Sequence, residues 1–176
     1  MKSLRRLFAI AALAMAGTGS LFAQPAPSCA ADADAIPLFV PACALVERHG
    51  GQYVASRYLS RLDFNGLGLA WIRLIAGGFV YVDRTGRIVI RDVATMDNGA
   101  DDFHRGLVRL QHGAQYGFAD PTGRIVVPIT YDGALNTDED GPMVCVGCSL
   151  KQEGEHSLFT AGRWFTVDAA GRLRER

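Results

Sequence analysis

Cys145 and Cys148 have the plainest chemical potential in this chain: two thiols separated by Val146-Gly147 and followed by His156. Three chemistries use such a set. An oxidised pair is a short-range disulfide. A deprotonated pair with the imidazole supplies three of the four ligands of a tetrahedral zinc site, which Glu155 or another His would complete. A reduced pair with a lowered thiol pKa carries out thiol–disulfide exchange, but that calls for a helix N-terminus following a strand. The sequence around Cys145 continues a strand pattern instead. A fourth candidate lies just upstream. Asn136-x-Asp138-x-Asp140-Gly141 copies the start of a calcium loop, in which alternate oxygen side chains wrap one ion. The closing acidic residue is missing, because the twelfth position is Gly147. The competing reading is a polar connecting loop.

Other catalytic patterns are absent. There is no Gly-x-Ser-x-Gly, phosphate-binding loop, dinucleotide fingerprint or His-Glu-x-x-His. His49, His104 and His112 stand singly among polar residues and are expected at the surface. Trp71 and Trp164 sit among apolar strand residues and are expected to pack in the core or between repeats. The expectation is a protein with no catalytic site and no cofactor, with zinc at Cys145, Cys148 and His156, or calcium, as the alternatives.

The N-terminus bears on the fate of the thiols. Lys2, Arg5 and Arg6 precede an apolar run, Leu7 to Ala16, too short to span a bilayer. Small residues then lead to Ala23. This is the pattern of a secretory signal peptide cleaved after Ala23, and it predicts a periplasmic or secreted protein with no stable membrane insertion. The expected division is 1–23 signal, 24–49 mobile leader and 50–176 folded domain. In an oxidising compartment four Cys read first as disulfides. Four allow three pairings; Cys29–Cys43 with Cys145–Cys148 is preferred because each pair is local. Cleavage would leave 15 basic residues against 18 acidic ones. With no basic face or tail, nucleic acid is not an expected partner.

The elements that position these groups follow from one phrase written three times. Asp83-Arg84-Thr85-Gly86-Arg87, Asp120-Pro121-Thr122-Gly123-Arg124 and Asp168-Ala169-Ala170-Gly171-Arg172 share Asp-x-x-Gly-Arg. Each follows an aromatic-rich apolar stretch, and an apolar run follows the first two. Asp83, Asp120 and Asp168 can accept backbone N–H groups across a turn. Gly86, Gly123 and Gly171 supply the residue with positive φ. Strand–turn–strand is predicted at all three sites. The phrases are 37 and then 48 residues apart, so the third unit carries extra sequence between its first two strands, around Cys148 to Glu155. Insertions in repeat proteins sit on loops of one face, often a binding face. Val54, Tyr58 and Leu62 recur at helical spacing and predict a short helix at about Val54 to Leu62.

The chain resembles the WG-repeat proteins, in the manner of a bacterial exported member. The match runs best from Phe103 to Asp132, through Tyr116-Gly117-Phe118-Ala119-Asp120, Gly123-Arg124, Pro128 and Tyr131-Asp132. The Trp-Gly pair itself is replaced by Phe79-Val80, Tyr116-Gly117 and Trp164-Phe165. The resemblance implies a mainly β fold of about three degenerate antiparallel hairpin or meander repeats, and no particular activity. Together these readings predict an exported binding module whose partner is a protein or an envelope component. Its expected contact surface is Cys148 to Trp164. The alternative is an envelope protein that uses Cys145 and Cys148 for redox or metal chemistry.

Overall fold

A computed structural model of the chain describes residues 39–40, 45–74, 77–96, 98–154 and 156–176. The expected signal sequence and cleavage site, and Cys29 and Cys43, lie outside the described residues. The fold is mainly antiparallel β. Its repeated element is a three-stranded meander. Unit A is β4 (Leu69–Leu74), β5 (Phe79–Asp83) and β6 (Ile88–Val93). Unit B is β9 (Val108–His112), β10 (Gln115–Ala119) and β11 (Ile125–Tyr131). Unit C is β13 (Gly141–Val146), β16 (Arg163–Val167) and β17 (Leu173–Glu175). Two short strands, β7 (Thr95–Met96) and β8 (Gly99–Ala100), link A to B, and β12 (Gly133–Thr137) links B to C. The expected extra sequence of unit C is a hairpin of its own, β14 (Ser149–Glu153) with β15 (His156–Thr160), placed between the first and second strands. Units A and B share one seven-stranded sheet, joined by the pair Val93↔Leu110. Unit C and β12 form a separate four-stranded sheet.

The N-terminal part differs from expectation. The leader expected over 24–49 contains strands: β1 (Phe39–Val40) runs parallel to β4, and β2 (Leu45–Arg48) pairs with β3 (Gly51–Val54). The expected helix from Val54 to Leu62 is a 3-10 helix at Ser56–Arg61. Val54 is held in β3, where its N–H donates to Gly86 O at 2.8 Å. Tyr58, Leu59 and Leu62 pack on the core from this short helix and its C-terminal end.

Alternate side chains along each strand serve opposite neighbours, as the two-residue period requires. Ala70, Ile72, Val80 and Val82 face the N-terminal segment. Leu69, Phe79 and Tyr81 share a second core with Val108, Leu110 and Ala119 of unit B. Leu107, Tyr116 and Phe118 pack against Val144 and Val167 of unit C. Burial on both faces explains why Phe79-Val80-Tyr81-Val82 is apolar without alternation.

The three repeated phrases are turns of one geometry. In each, the glycine N–H donates to the Asp carbonyl oxygen, at 2.8, 3.0 and 2.8 Å. The Asp carboxylate accepts the backbone N–H groups two and four residues on. The glycines have φ of 85°, 85° and 80°. Asp168 is held below the usual carboxylate range by its bonds from the backbone and side chain of Arg172. At Asp120 desolvation opposes the shift, but hydrogen bonds from Thr122 and Arg124 outweigh it and lower the pKa.

These glycines also carry a second constraint. A Cβ at Gly86 would lie 2.8 Å from Val54 O; at Gly123 it would collide with Val89 O, and at Gly171 with Val126 O. Each turn thus sits against the main chain of the preceding unit. Val89 and Val126 each follow their own turn glycine by three residues, and Val54 follows the positive-φ Gly50 of the β2–β3 turn by four. The β2–β3 hairpin therefore stands where a unit before A would contribute its last hairpin.

A buried polar cluster ties unit B to the B–C linker. Asp101 is inaccessible to solvent. Its carboxylate accepts the Arg109 backbone N–H at 3.1 Å, Arg109 Nη2 at 3.3 Å and Asn136 Nδ2 at 2.9 Å. Arg109 Nη1 donates on to Ala134 O in β12 at 3.0 Å. Desolvation raises the Asp101 pKa, with the Arg109 charge and the Asn136 bond opposing.

Two outcomes follow for stability. Gly123→Val should cost about 2–4 kcal/mol, combining positive-φ strain with overpacking. Gly113→Val, at φ 61° with open space around it, should cost only the strain, about 1–2 kcal/mol. Equal costs in urea unfolding would remove the stacking role. Asp101→Ala should cost about 3–5 kcal/mol, because it strands a buried guanidinium. Asp138→Ala, at an exposed carboxylate, is the control and should stay within about 1 kcal/mol of wild type.

Candidate functional site

The third-unit insertion is built on the Cys-x-x-Cys. Strand β13 carries Cys145 into the turn Val146-Gly147, with Gly147 at φ 76°. Asp132 braces this turn. Its backbone N–H donates to Cys145 O at 3.0 Å, and its Oδ2 accepts the Gly147 N–H at 2.7 Å. Cys145 and Cys148 form a disulfide, with Cα atoms 6.1 Å apart. Cys145 is fully buried and Cys148 nearly so. Two glycines make room for it. A Cβ on Gly133 would meet Cys148 Sγ at 2.7 Å and the Phe159 ring at 2.8 Å, and one on Gly162 would press on the same bridge.

The hairpin above the bridge is anchored through one ring. Phe159 packs edge-on to Tyr116 of unit B at 5.5 Å and to Trp164 of unit C at 5.9 Å. The other described side chains of the hairpin face solvent. Every residue of β14 is exposed, and Leu150 and Leu158 are about half exposed. Beside it runs a groove of about 560 Å³, with Leu135, Met143, Phe159 and Trp164 as its apolar lining. Arg176 lies across the groove, paired with Asp140 at 2.9 Å and donating its backbone N–H to Trp164 O at 3.1 Å. The arrangement offers aromatic and aliphatic surface for contact and a covalently fixed base.

The other candidate residues separate. Asn136, Asp138 and Asp140, the start of the calcium pattern, serve three different partners. Asn136 is buried on Asp101, Asp138 pairs with His104 at 2.8 Å, and Asp140 pairs with Arg176. The zinc alternative needs the side chain of His156, which lies outside the described residues. Among the described residues, no group of three His, Cys, Asp or Glu is placed to hold a metal. His49 and His112 are exposed as expected, whereas the His104 side chain is four-fifths buried and pairs with the exposed Asp138. Trp71 packs on Phe79 and Gly99, and Trp164 on Phe159. Sequence reasoning misses Asp101 and Arg109. Nothing in Ala100-Asp101-Asp102 marks which Asp is buried. Tyr81 reads in sequence as an apolar strand residue; its hydroxyl donates to Asp101 O at 2.8 Å. Burial, then the Asp102 and Asp101 charges, push its pKa far up.

Replacing both Cys145 and Cys148 by Ser should loosen the insertion selectively. A loop this short contributes at most about 2 kcal/mol to global stability. Hydrogen exchange should speed up over residues 149–160 while units A and B keep their protection. Uniform acceleration across the chain would contradict a local staple.

The comparisons with known proteins agree with this architecture. No curated protein matches the chain, and no solved structure does. The model of the WG containing repeat matches residues 116–146, from β10 through the end of β13. The segment similar to a WG containing repeat thus spans the junction of the second and third units.

Proposed function

We propose that the protein is an exported, non-catalytic interaction module of the cell envelope, and that the β14–β15 hairpin and its groove are the contact surface. The hairpin carries this reading. It is an addition to the repeat, it is fixed by a disulfide at its base, and it presents Leu150 and Leu158 to solvent. Half-exposed leucines on an otherwise polar hairpin cost solubility without adding to the core, which suits a surface held ready for a partner. A disulfide is at home in an oxidising compartment. Among the described residues, no helix is long and apolar enough to cross a membrane. The bound species would be a protein or another envelope component.

The second reading, thiol–disulfide exchange at Cys145 and Cys148, has less support. Both sulfurs are buried, and the pair follows a strand and a tight turn rather than opening a helix.

The test uses the chain from residue 24 as bait against an envelope fraction, beside a Leu150→Asp, Leu158→Asp variant. Both should melt within a few degrees of each other, because neither leucine belongs to the core. A partner retained by the wild type should be lost from the variant. Equal retention would place the contact elsewhere. Titration of the native protein should find no free thiol at Cys145 or Cys148 before or after mild reductant; ready reduction of the pair would favour the redox reading.

A further inference from the structure

Internal repetition lets one junction of this molecule be compared with the next. At the B–C junction a guanidinium fills the gap: Arg109 Nη2 lies 3.3 Å from Asp101 Oδ1 and 3.4 Å from Thr95 O, and Nη1 lies 3.0 Å from Ala134 O. The A–B junction has the same frame. Gly68 and Gly106 lead into β4 and β9 with φ of 75° and 79°. Counted from these glycines, Asp63 stands where Asp101 stands, and Trp71 where Arg109 stands. Counted back from Gly106 and Gly141, Gly99 stands where Ala134 stands. The contacts agree with this alignment. A Cβ on Gly99 would lie 3.3 Å from the Trp71 indole, so Gly99 backs Trp71 as Ala134 backs Arg109.

The occupant differs. Trp71 brings no charge, and beside it the A–B junction has an open cleft of about 300 Å³. Trp71 and Tyr81 form its aromatic wall, Asp63 and Asp102 bring two carboxylates, and Arg61 and Asn65 complete its polar lining. The lining carries one net negative charge. Asp63 and Asp102 are both exposed, so a solute reaches them without opening the core. The cleft shares no lining residue with the groove of unit C, and this inference stands apart from the function proposed for the hairpin.

We infer that this cleft binds the guanidinium group of a small ligand, set against the Trp71 indole and paired with Asp63 and Asp102. A cation near an indole face is drawn by the ring quadrupole. A planar guanidinium meets a carboxylate through two parallel hydrogen bonds. The volume is at the lower end for ligand sites, which suits a single guanidinium on a short alkyl stem. That stem can belong to a free amine or to an arginine of an exposed peptide.

The test follows the indole N–H resonances in a proton–nitrogen correlation spectrum, with Trp164→Phe assigning the two tryptophans. The probes are agmatine, a blocked Gly-Arg-Gly peptide, and the neutral analogue of agmatine with a urea in place of the guanidinium. Agmatine should shift the Trp71 resonance saturably and leave Trp164 unmoved, and the urea analogue should not shift it. Asp63→Asn with Asp102→Asn should weaken the effect at least about ten-fold, the loss of one good charged pair. A shift with agmatine and peptide alike identifies the guanidinium as the recognised group, and a shift with only one of them assigns its source. Either result supports the site. No saturable shift with either probe, an equal shift with the urea analogue, or undiminished affinity in a folded double variant would overturn it. If the double variant does not fold, the comparison of agmatine with its urea analogue decides alone.

Discussion

Where one unit meets the next, a turn glycine lies against a main-chain carbonyl of the unit before it. Gly86 meets Val54, Gly123 meets Val89, and Gly171 meets Val126. A side chain on any of these would hold the units apart, and the alternate residues of their strands would lose contact. The three cores depend on that separation. Ile72 and Val80, Tyr81 and Leu110, Phe118 and Val144 are buried only because neighbouring units approach this closely. Close packing makes such contacts sensitive to shifts of a fraction of an ångström. Two demands therefore meet in one residue: positive φ for the hairpin, and no side chain for the stack.

Within that frame the polar cluster at Asp101 sets direction rather than distance. Burying a carboxylate and a guanidinium together brings little net stability, since desolvation consumes most of their attraction. It does penalise other arrangements. If β12 slid by one residue, Asn136 would leave Asp101 and Ala134 would leave Arg109. A hydrocarbon contact tolerates such a slip better. The cluster thus selects one docking of the linker strand among several that the apolar residues alone would accept.

The turns were legible because their chemistry is local: Asp83, Gly86 and Arg87 lie within five residues and name the geometry themselves. The insertion was legible as an interval, since 48 residues stand where 37 are expected. Its hairpin form was not, because Ser149 to Thr160 is mostly polar and its placement depends on Phe159 reaching Tyr116, 43 positions back. The spacing of Val54, Tyr58 and Leu62 marked the short helix, which is a 3-10 helix at Ser56–Arg61, but not its bounds, because Val54 is claimed by β3 and Leu62 lies just past its end. Asn136 misled because its neighbours are acidic and the residue that claims it, Asp101, is 35 positions away. Contacts across units leave no short-range signature. The same holds for Gly117, within the segment that is similar to a WG containing repeat. Its Cβ would meet Val127 O at 2.6 Å, a reason visible only once β10 and β11 are paired.

Strand β17 pairs with β16 alone among the described strands. Its far side therefore presents unpaired backbone groups, the template on which strands of other chains aggregate. The residues there bear on that hazard. Leu173 is half-exposed between Arg172 and Arg174, and Glu175 and Arg176 follow. A second strand laid alongside would have to strip water from these charges and disturb the pairs that Arg172 and Arg176 make with Asp168 and Asp140. The molecule guards this border with hydrated and paired charge, and its colloidal behaviour should depend on salt, because ions that screen those charges weaken the guard.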